Sequence, residues 1–111
     1  MPRMKHQDLF KGLIRLHILH HASEGEFYGQ WMIHELAHHG YELSAGTLYP
    51  MLHALERRGY LKSREERSGR TFRRVYRATA SGREANRLAK VKVRELVGEL
   101  RTAKPLRHAA E

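Results

Sequence analysis

Cysteine is absent from this chain of 111 residues, so disulfides, thiolate metal sites and a cysteine nucleophile are all excluded. No apolar stretch approaches the ~20 residues needed to cross a bilayer, and the N-terminal run MPRMKHQD lacks the apolar segment of a signal peptide. A cytoplasmic protein with no membrane partner is therefore expected. Acidic side chains are the next shortage, 12 of them against 21 Lys and Arg, for a formal net charge of +9. That balance favours polyanionic partners over acidic small molecules. It is also uneven. All basic side chains except Arg3, Lys5, Lys11 and Arg15 lie from Arg57 onward, whereas the acids are divided almost evenly between the two halves. The length allows one domain with a modest core, without room for a separate catalytic domain.

What the chain does contain is organised around Leu43 to Tyr60, LSAGTLYPMLHALERRGY. Ser44 suits a helix N-cap, and Leu48, Met51, Leu52 and Leu55 recur at helical spacing as a buried face. Counting about 100° per residue places Gly46, Pro50, His53 and Arg57 on the opposite side, flanked by Tyr49. Pro50 removes one backbone bond and presses on the carbonyl of Gly46, a permissive position. The result is a helix start with little side-chain bulk, suited to close approach by another surface.

The remaining elements follow in order. Residues 1–8 read as a flexible N-terminus. A first helix from Leu9 to Ala22 is apolar around most of its circumference, with Lys11 and Arg15 its charged sector, and such a helix has to be covered on more than one side. Ser23 to Phe27 reads as a connection. Tyr28 to His39 reads as a second helix with Met32, Ile33 and Leu36 inward, stopped at Gly40. The short link from Gly40 to Leu43 gives the spacing of a helix-turn-helix. Leu61 to Glu66 and Thr71 to Ala78 read as a hairpin; with Ser68-Gly69 as the turn, Glu65 faces Phe72 and Leu61 faces Tyr76. Between Lys62 and Arg77 the hairpin also carries Arg64, Arg67, Arg70, Arg73 and Arg74 against Glu65 and Glu66, the charge of a phosphate-contacting ribbon. Thr79 is a cap for a last helix whose stripe is Ala85, Ala89, Val93, Leu96, Leu100 and Ala103. That stripe outruns what so small a domain can cover and suits packing against the first helix of a second copy. The tail from 104 to 111 reads as disordered.

The run Ser44-Ala45-Gly46-Thr47-Leu48-Tyr49-Pro50, then Leu52, Leu55-Glu56 and Gly59-Tyr60-Leu61, resembles the recognition helix of PadR-type transcriptional regulators. The likeness extends to Tyr28-Gly29 before it and to Arg73-Arg74-Val75-Tyr76-Arg77, Thr79 and Gly82 after it, about residues 9 to 100 in all. The resemblance implies a winged helix-turn-helix, a homodimer, binding to double-stranded DNA and usually repression. It also allows a small-molecule inducer at the dimer interface.

Several histidines carry competing readings. His34-Glu35-Leu36-Ala37-His38 matches the HExxH pattern of zinc proteases, in which two imidazoles one turn apart hold Zn²⁺ and the glutamate activates water. A third ligand is missing at readable spacing: Ser44 stands where the extended pattern has its third histidine, and Glu65 and Glu66 lie in a basic hairpin. These histidines read as exposed helix residues. His17, His20 and His21 are further candidates for a regulatory metal, but no spacing selects a site, so neither a cofactor nor a metal is assigned. Trp31 reads as a core filler ahead of the wall of a ligand cavity.

The sequence thus predicts a mainly α fold with a small β-hairpin. Residues 9–78 form a winged helix-turn-helix, and 79–103 a C-terminal dimerisation helix. The expected function is a sequence-specific DNA-binding regulator, a homodimeric repressor on a pseudo-palindromic operator, and not an enzyme. The alternatives are a small HExxH zinc hydrolase and a non-specific basic nucleic-acid-binding protein. Expected DNA contacts are Tyr28, Ser44, Ala45, Gly46, Thr47, Tyr49, Pro50, His53, Arg67, Arg70 and Arg73. The expected dimer interface is Phe10, Leu13, Ile14, Ala89, Val93, Leu96 and Leu100.

Overall fold

The structure, a computed structural model, describes residues 5–102. Its elements run α1 (Gln7–Glu24), β1 (Phe27–Tyr28), α2 (Gly29–His38), α3 (Ala45–Arg57), β2 (Leu61–Ser68), β3 (Thr71–Ala78) and α4 (Ala80–Arg101). This is a mainly helical fold with a small antiparallel sheet, in which α2 and α3 form the helix-turn-helix and β2–β3 the wing. Residues 1–4 of the N-terminus, Ala103 and the tail from 104 to 111 lie outside the described residues.

The core forms where the apolar spacing of the sequence placed it. Leu48, Met51, Leu52 and Leu55 of α3 are all buried, against Ile14, Ile18 and Leu19 of α1 and Met32 and Leu36 of α2. Each such side chain contributes roughly 1.5–3 kcal/mol by leaving water. Ile33 is only partly buried. Both helices of the helix-turn-helix end in the same way, with glycine taking the left-handed conformation that other residues resist. Gly40 has φ +86° and Gly59 φ +84°; Tyr41 N–H then bonds to the Leu36 carbonyl and Tyr60 N–H to the Leu55 carbonyl, both at 2.9 Å. These closures fix where the chain leaves α2 and α3.

Three local expectations are corrected. Phe27–Tyr28 is a strand and not part of a connection or of the second helix: it pairs with β3 through Phe27↔Tyr76 and Tyr28↔Val75, giving the sheet order β1-β3-β2. The buried Phe27 ring stacks on Tyr76 at 5.7 Å, and that long-range contact defines the strand. The hairpin turn is Gly69-Arg70, because Ser68 pairs with Thr71; Glu65 accordingly faces Arg74, and Leu61 faces Ala78. Positive φ falls on Gly69 alone (+62°), which suits glycine at the first central position of a two-residue turn. The shift moves each partner by two residues, so every side chain keeps its expected face. Ser44 occupies the N-cap of α3 without a side-chain cap bond; its hydroxyl donates to Thr47 Oγ1 at 3.3 Å.

Thr79 does cap α4, accepting from Gly82 N–H at 2.9 Å. Gly82 sits against the Tyr60 carbonyl, where a Cβ would collide with backbone. The start of α4 is thereby locked to the turn after α3. From there α4 packs on α1 and β3 of its own chain, leaving a groove of about 340 Å³ whose walls include Leu13, Leu16, Ala89 and Val93. Ile14, expected at the dimer interface, is fully buried inside the protomer; it is a core residue, unavailable to a partner. Leu9 and Leu13 of α1 remain exposed, as do Leu88, Val91, Val93, Leu96, Val97 and Leu100 of α4.

Candidate nucleic-acid interface

Two elements present the candidate site. On α3, Gly46, Pro50, His53 and Arg57 are exposed on the side opposite the buried leucines, with Ala45 also exposed and Ser44 and Thr47 partly so. Tyr49 differs from its neighbours. It is half-buried, packed on the core, with its ring over Gly29, where a Cβ would lie 2.7 Å from Tyr49 Cε1. α3 is thus seated on the first turn of α2 at a glycine, where an added Cβ would displace the Tyr49 ring.

The wing is the second element, and ion pairing divides its charge. Arg64 holds Glu26 in a two-pronged bond (Nη2–Oε1 2.8 Å, Nε–Oε2 3.2 Å) and reaches Glu66 at 3.2 Å. Arg74 pairs with Glu65 at 3.1 Å. Among the described residues Arg67, Arg70 and Arg73 have no carboxylate partner. Lys62 and Arg77, at the base of the hairpin, have none either, so these five are the wing cations left to meet an external anion, and Arg67, Arg70 and Arg73 are the ones toward its tip. They do not share one face. Arg67 lies over the Phe72 ring at 5.7 Å, Arg73 over the Tyr28 ring at 5.1 Å on the other face, and Arg70 is in the turn.

Tyr28 links the wing to the helices. Its hydroxyl donates to Glu66 Oε1. That bond, aided by Arg64, holds the Glu66 carboxyl below the usual carboxylate range, and the same bond raises the Tyr28 phenol. The Glu26 carboxyl is likewise lowered by its bond to Arg64. Glu26 and Glu66, which a count of wing arginines overlooks, hold the ribbon against β1. The cross-strand order Glu66↔Arg73 and Arg64↔Val75 follows from the Gly69-Arg70 turn, and β1 then brings Tyr28 beside Val75.

The histidines fall elsewhere. Glu35, central to the HExxH pattern, faces His39 (2.9 Å) and His21 (3.4 Å), while His34 lies 3.4 Å from Gln30 and His38 is exposed. Among the described residues neither His34 nor His38 belongs to a three-donor group. Trp31, expected as a core filler, is about half exposed (46%); it stands edge-on to His21 at 5.4 Å and borders a cavity of about 390 Å³ with Glu24, Glu26 and Phe27. Among the described residues no helix is long and apolar enough to cross a membrane.

A helix-turn-helix seated on a basic β-ribbon, with a long helix following, is the winged helix-turn-helix class. The chain belongs to the transcriptional regulator PadR-like family, whose model matches residues 18–88. That is a family of transcriptional regulators, not enzymes, and it sets aside the zinc-hydrolase reading. A similar curated protein is the transcriptional regulator Rv3488 of Mycobacterium tuberculosis, 52% identical over 75 residues, which are 68% of this chain and 70% of that one. Among solved structures, the PadR family regulator from Eggerthella lenta is 31% identical with TM-score 0.74, over 87% of this chain and 88% of that one. Bacillus subtilis PadR, solved in complex with operator DNA, shares the fold at 19% identity and TM-score 0.61, over 68% of this chain and 44% of that one.

Proposed function

We propose that this regulator is a homodimeric repressor that binds a pseudo-palindromic DNA operator. The observation that carries the reading is the pairing of a low-bulk helix face, Gly46, Pro50 and His53, with three wing arginines that lack carboxylate partners. A helix with little bulk can enter a major groove closely, and its side chains then read base edges; cations beside it contact phosphates and set position. In this reading Ser44, Ala45, Gly46, Thr47, Pro50 and His53 meet the groove, and Arg67, Arg70, Arg73 and Tyr28 meet the backbone. Tyr49 lies at the edge of the contact and also orients α3. The B. subtilis fold neighbour carries operator DNA, which supports the same use of the fold here. Repression follows if the bound site overlaps a promoter. A small-molecule inducer at the dimer interface would meet the α1–α4 groove walled by Leu13, Leu16, Ala89 and Val93, apart from the cavity that the half-exposed Trp31 borders.

The deciding experiment selects duplexes from a random pool and compares the affinity of the best site with that of random DNA. The reading expects a two-fold symmetric consensus bound at least ~10³ times more tightly than random duplex at fixed salt. A ratio near one would leave a non-specific basic protein in its place. His53→Ala should lower the ratio more than it lowers random-duplex affinity.

A further inference from the structure

The chain has nine histidines, and the fold gathers three of them away from the wing and the exposed face of α3. His17 and His21 lie one turn apart on α1, and His39 is the C-cap residue of α2. The His17 and His39 rings stack with centroids 4.6 Å apart. One nitrogen from each of the three lies within 4.8 Å of the others. Glu35, one turn before His39, places Oε2 2.9 Å from His39 Nε2 and 3.4 Å from His21 Nε2. The pocket is partly shielded, with 17% of the His21 side chain and 24% of the Glu35 side chain exposed.

We propose that His17, His21 and His39, with Glu35 as fourth donor, form a binding site for a divalent transition-metal ion of the zinc type at the α1–α2 junction. The donor set is three imidazoles and a carboxylate, a combination that suits Zn²⁺ and its borderline neighbours and disfavours Mg²⁺ or Ca²⁺. Tetrahedral zinc with bonds of about 2.0–2.1 Å needs donors roughly 3.4 Å apart. The Glu35–His39 and Glu35–His21 separations are already at that scale, and rotation of the His17 and His39 rings supplies the rest. His21 also has a carboxylate behind it, Glu24 Oε1 at 3.8 Å from Nδ1, the arrangement that orients a ligating imidazole through its other nitrogen.

Ring stacking alone would account for His17 on His39, but it leaves unexplained why two imidazoles converge on one carboxylate oxygen. The HExxH spacing had drawn attention to the wrong histidines: it is Glu35 that belongs to the cluster, with donors from a different helix and from the helix end. Bound metal would tie the end of α2 to α1.

The full chain, stripped with chelator, is titrated with Zn²⁺ by calorimetry and with Co²⁺ by visible absorption, whose d–d bands report four-coordinate geometry. One ion per chain is expected. Glu35→Gln should weaken binding by roughly 10–100-fold, and His39→Gln by at least as much. The double variant His34→Gln with His38→Gln should bind as the parent does. Zn²⁺ at a concentration that just saturates the parent should raise the melting temperature of the parent and of that double variant, and raise that of His39→Gln much less. His39 is largely exposed, so its variant is expected to fold; should its metal-free form melt early, His17→Gln carries the same readout. Absence of stoichiometric binding by the parent, or undiminished binding by the ligand variants, overturns the site.

Discussion

Tyr49 of α3 closes over Gly29 at the first turn of α2, near enough that a Cβ on the glycine would fall 2.7 Å from Tyr49 Cε1. The atoms in the way belong to the far end of a side chain, so Gly29→Ala is expected to swing the Tyr49 ring outward and not to break the backbone. The cost should be about 1–3 kcal/mol in stability, as for other overpacked sites. Operator affinity should fall with it, because α3 loses its seat. The check is a denaturant melt together with operator binding for Gly29→Ala and for Gly29→Ala with Tyr49→Ala. The second change should recover stability without recovering operator affinity.

On the wing, replacing Arg67, Arg70 and Arg73 together with Ala should weaken binding to all duplexes by a similar factor. Each is proposed to neutralise a phosphate, so the slope of log affinity against log salt should become shallower by about one per lost contact. Arg64→Ala and Arg74→Ala should change that slope less, since both are already held by glutamates. An unchanged slope in the triple variant would take the wing out of the interface.

The anchoring of the wing to β1 should depend on pH. Glu26 and Glu66 both have carboxyls lowered from the ordinary 4.5, the first by its bond to Arg64 and the second by the Tyr28 hydroxyl. The unfolded chain therefore binds more protons than the folded one in that window. Their stabilising effect is complete above about pH 4.5 and is lost as pH falls through the lowered values. Amide protection factors at Tyr28 and Val75, taken against the intrinsic exchange rate at each pH, should fall there more than those of the helical core. Glu26→Gln with Glu66→Gln should abolish that difference while raising affinity for random DNA, because two negative charges leave the wing.

Much of this was legible in the sequence. The leucines of α3 declared its buried face because one strong period ran through them, and Gly40, Gly59 and Thr79 marked element ends because few other residues satisfy those backbones. What was hidden depended on contacts between distant segments. β1 has two residues, too few for any period, and exists because Phe27 meets Tyr76. The pairing of Arg64 with Glu26 spans 38 positions, so counting charge along the hairpin overstated how much of it is free. The cluster of His17, His21 and His39 has no linear spacing to recognise, since its third member comes from another helix. The burial of Ile14 is hidden for a related reason: a helix apolar on several sides does not reveal which side meets its own core.

The final prediction concerns that remaining apolar surface. Leu96 and Leu100 are 51% and 66% exposed, with Val93 and Val97 beside them, and Leu13 lies across the groove between α1 and α4. Burying a leucine contributes roughly 1.5–3 kcal/mol, so leaving this row in water is unfavourable for a lone chain. The proposed dimer covers it with the α1 and α4 surfaces of a second copy, using Phe10, Leu13, Ala89, Val93, Leu96 and Leu100 without Ile14. A two-fold axis through that contact would set the two recognition helices about one DNA turn, ~34 Å, apart. Leu96→Asp with Leu100→Asp places charge where the partner must pack. Both positions are exposed in the protomer, so the variant should remain folded by circular dichroism, sediment as a monomer, and lose tight operator binding while weak binding to random duplex survives. A variant that stays dimeric and holds its operator would place the interface on another face of the molecule.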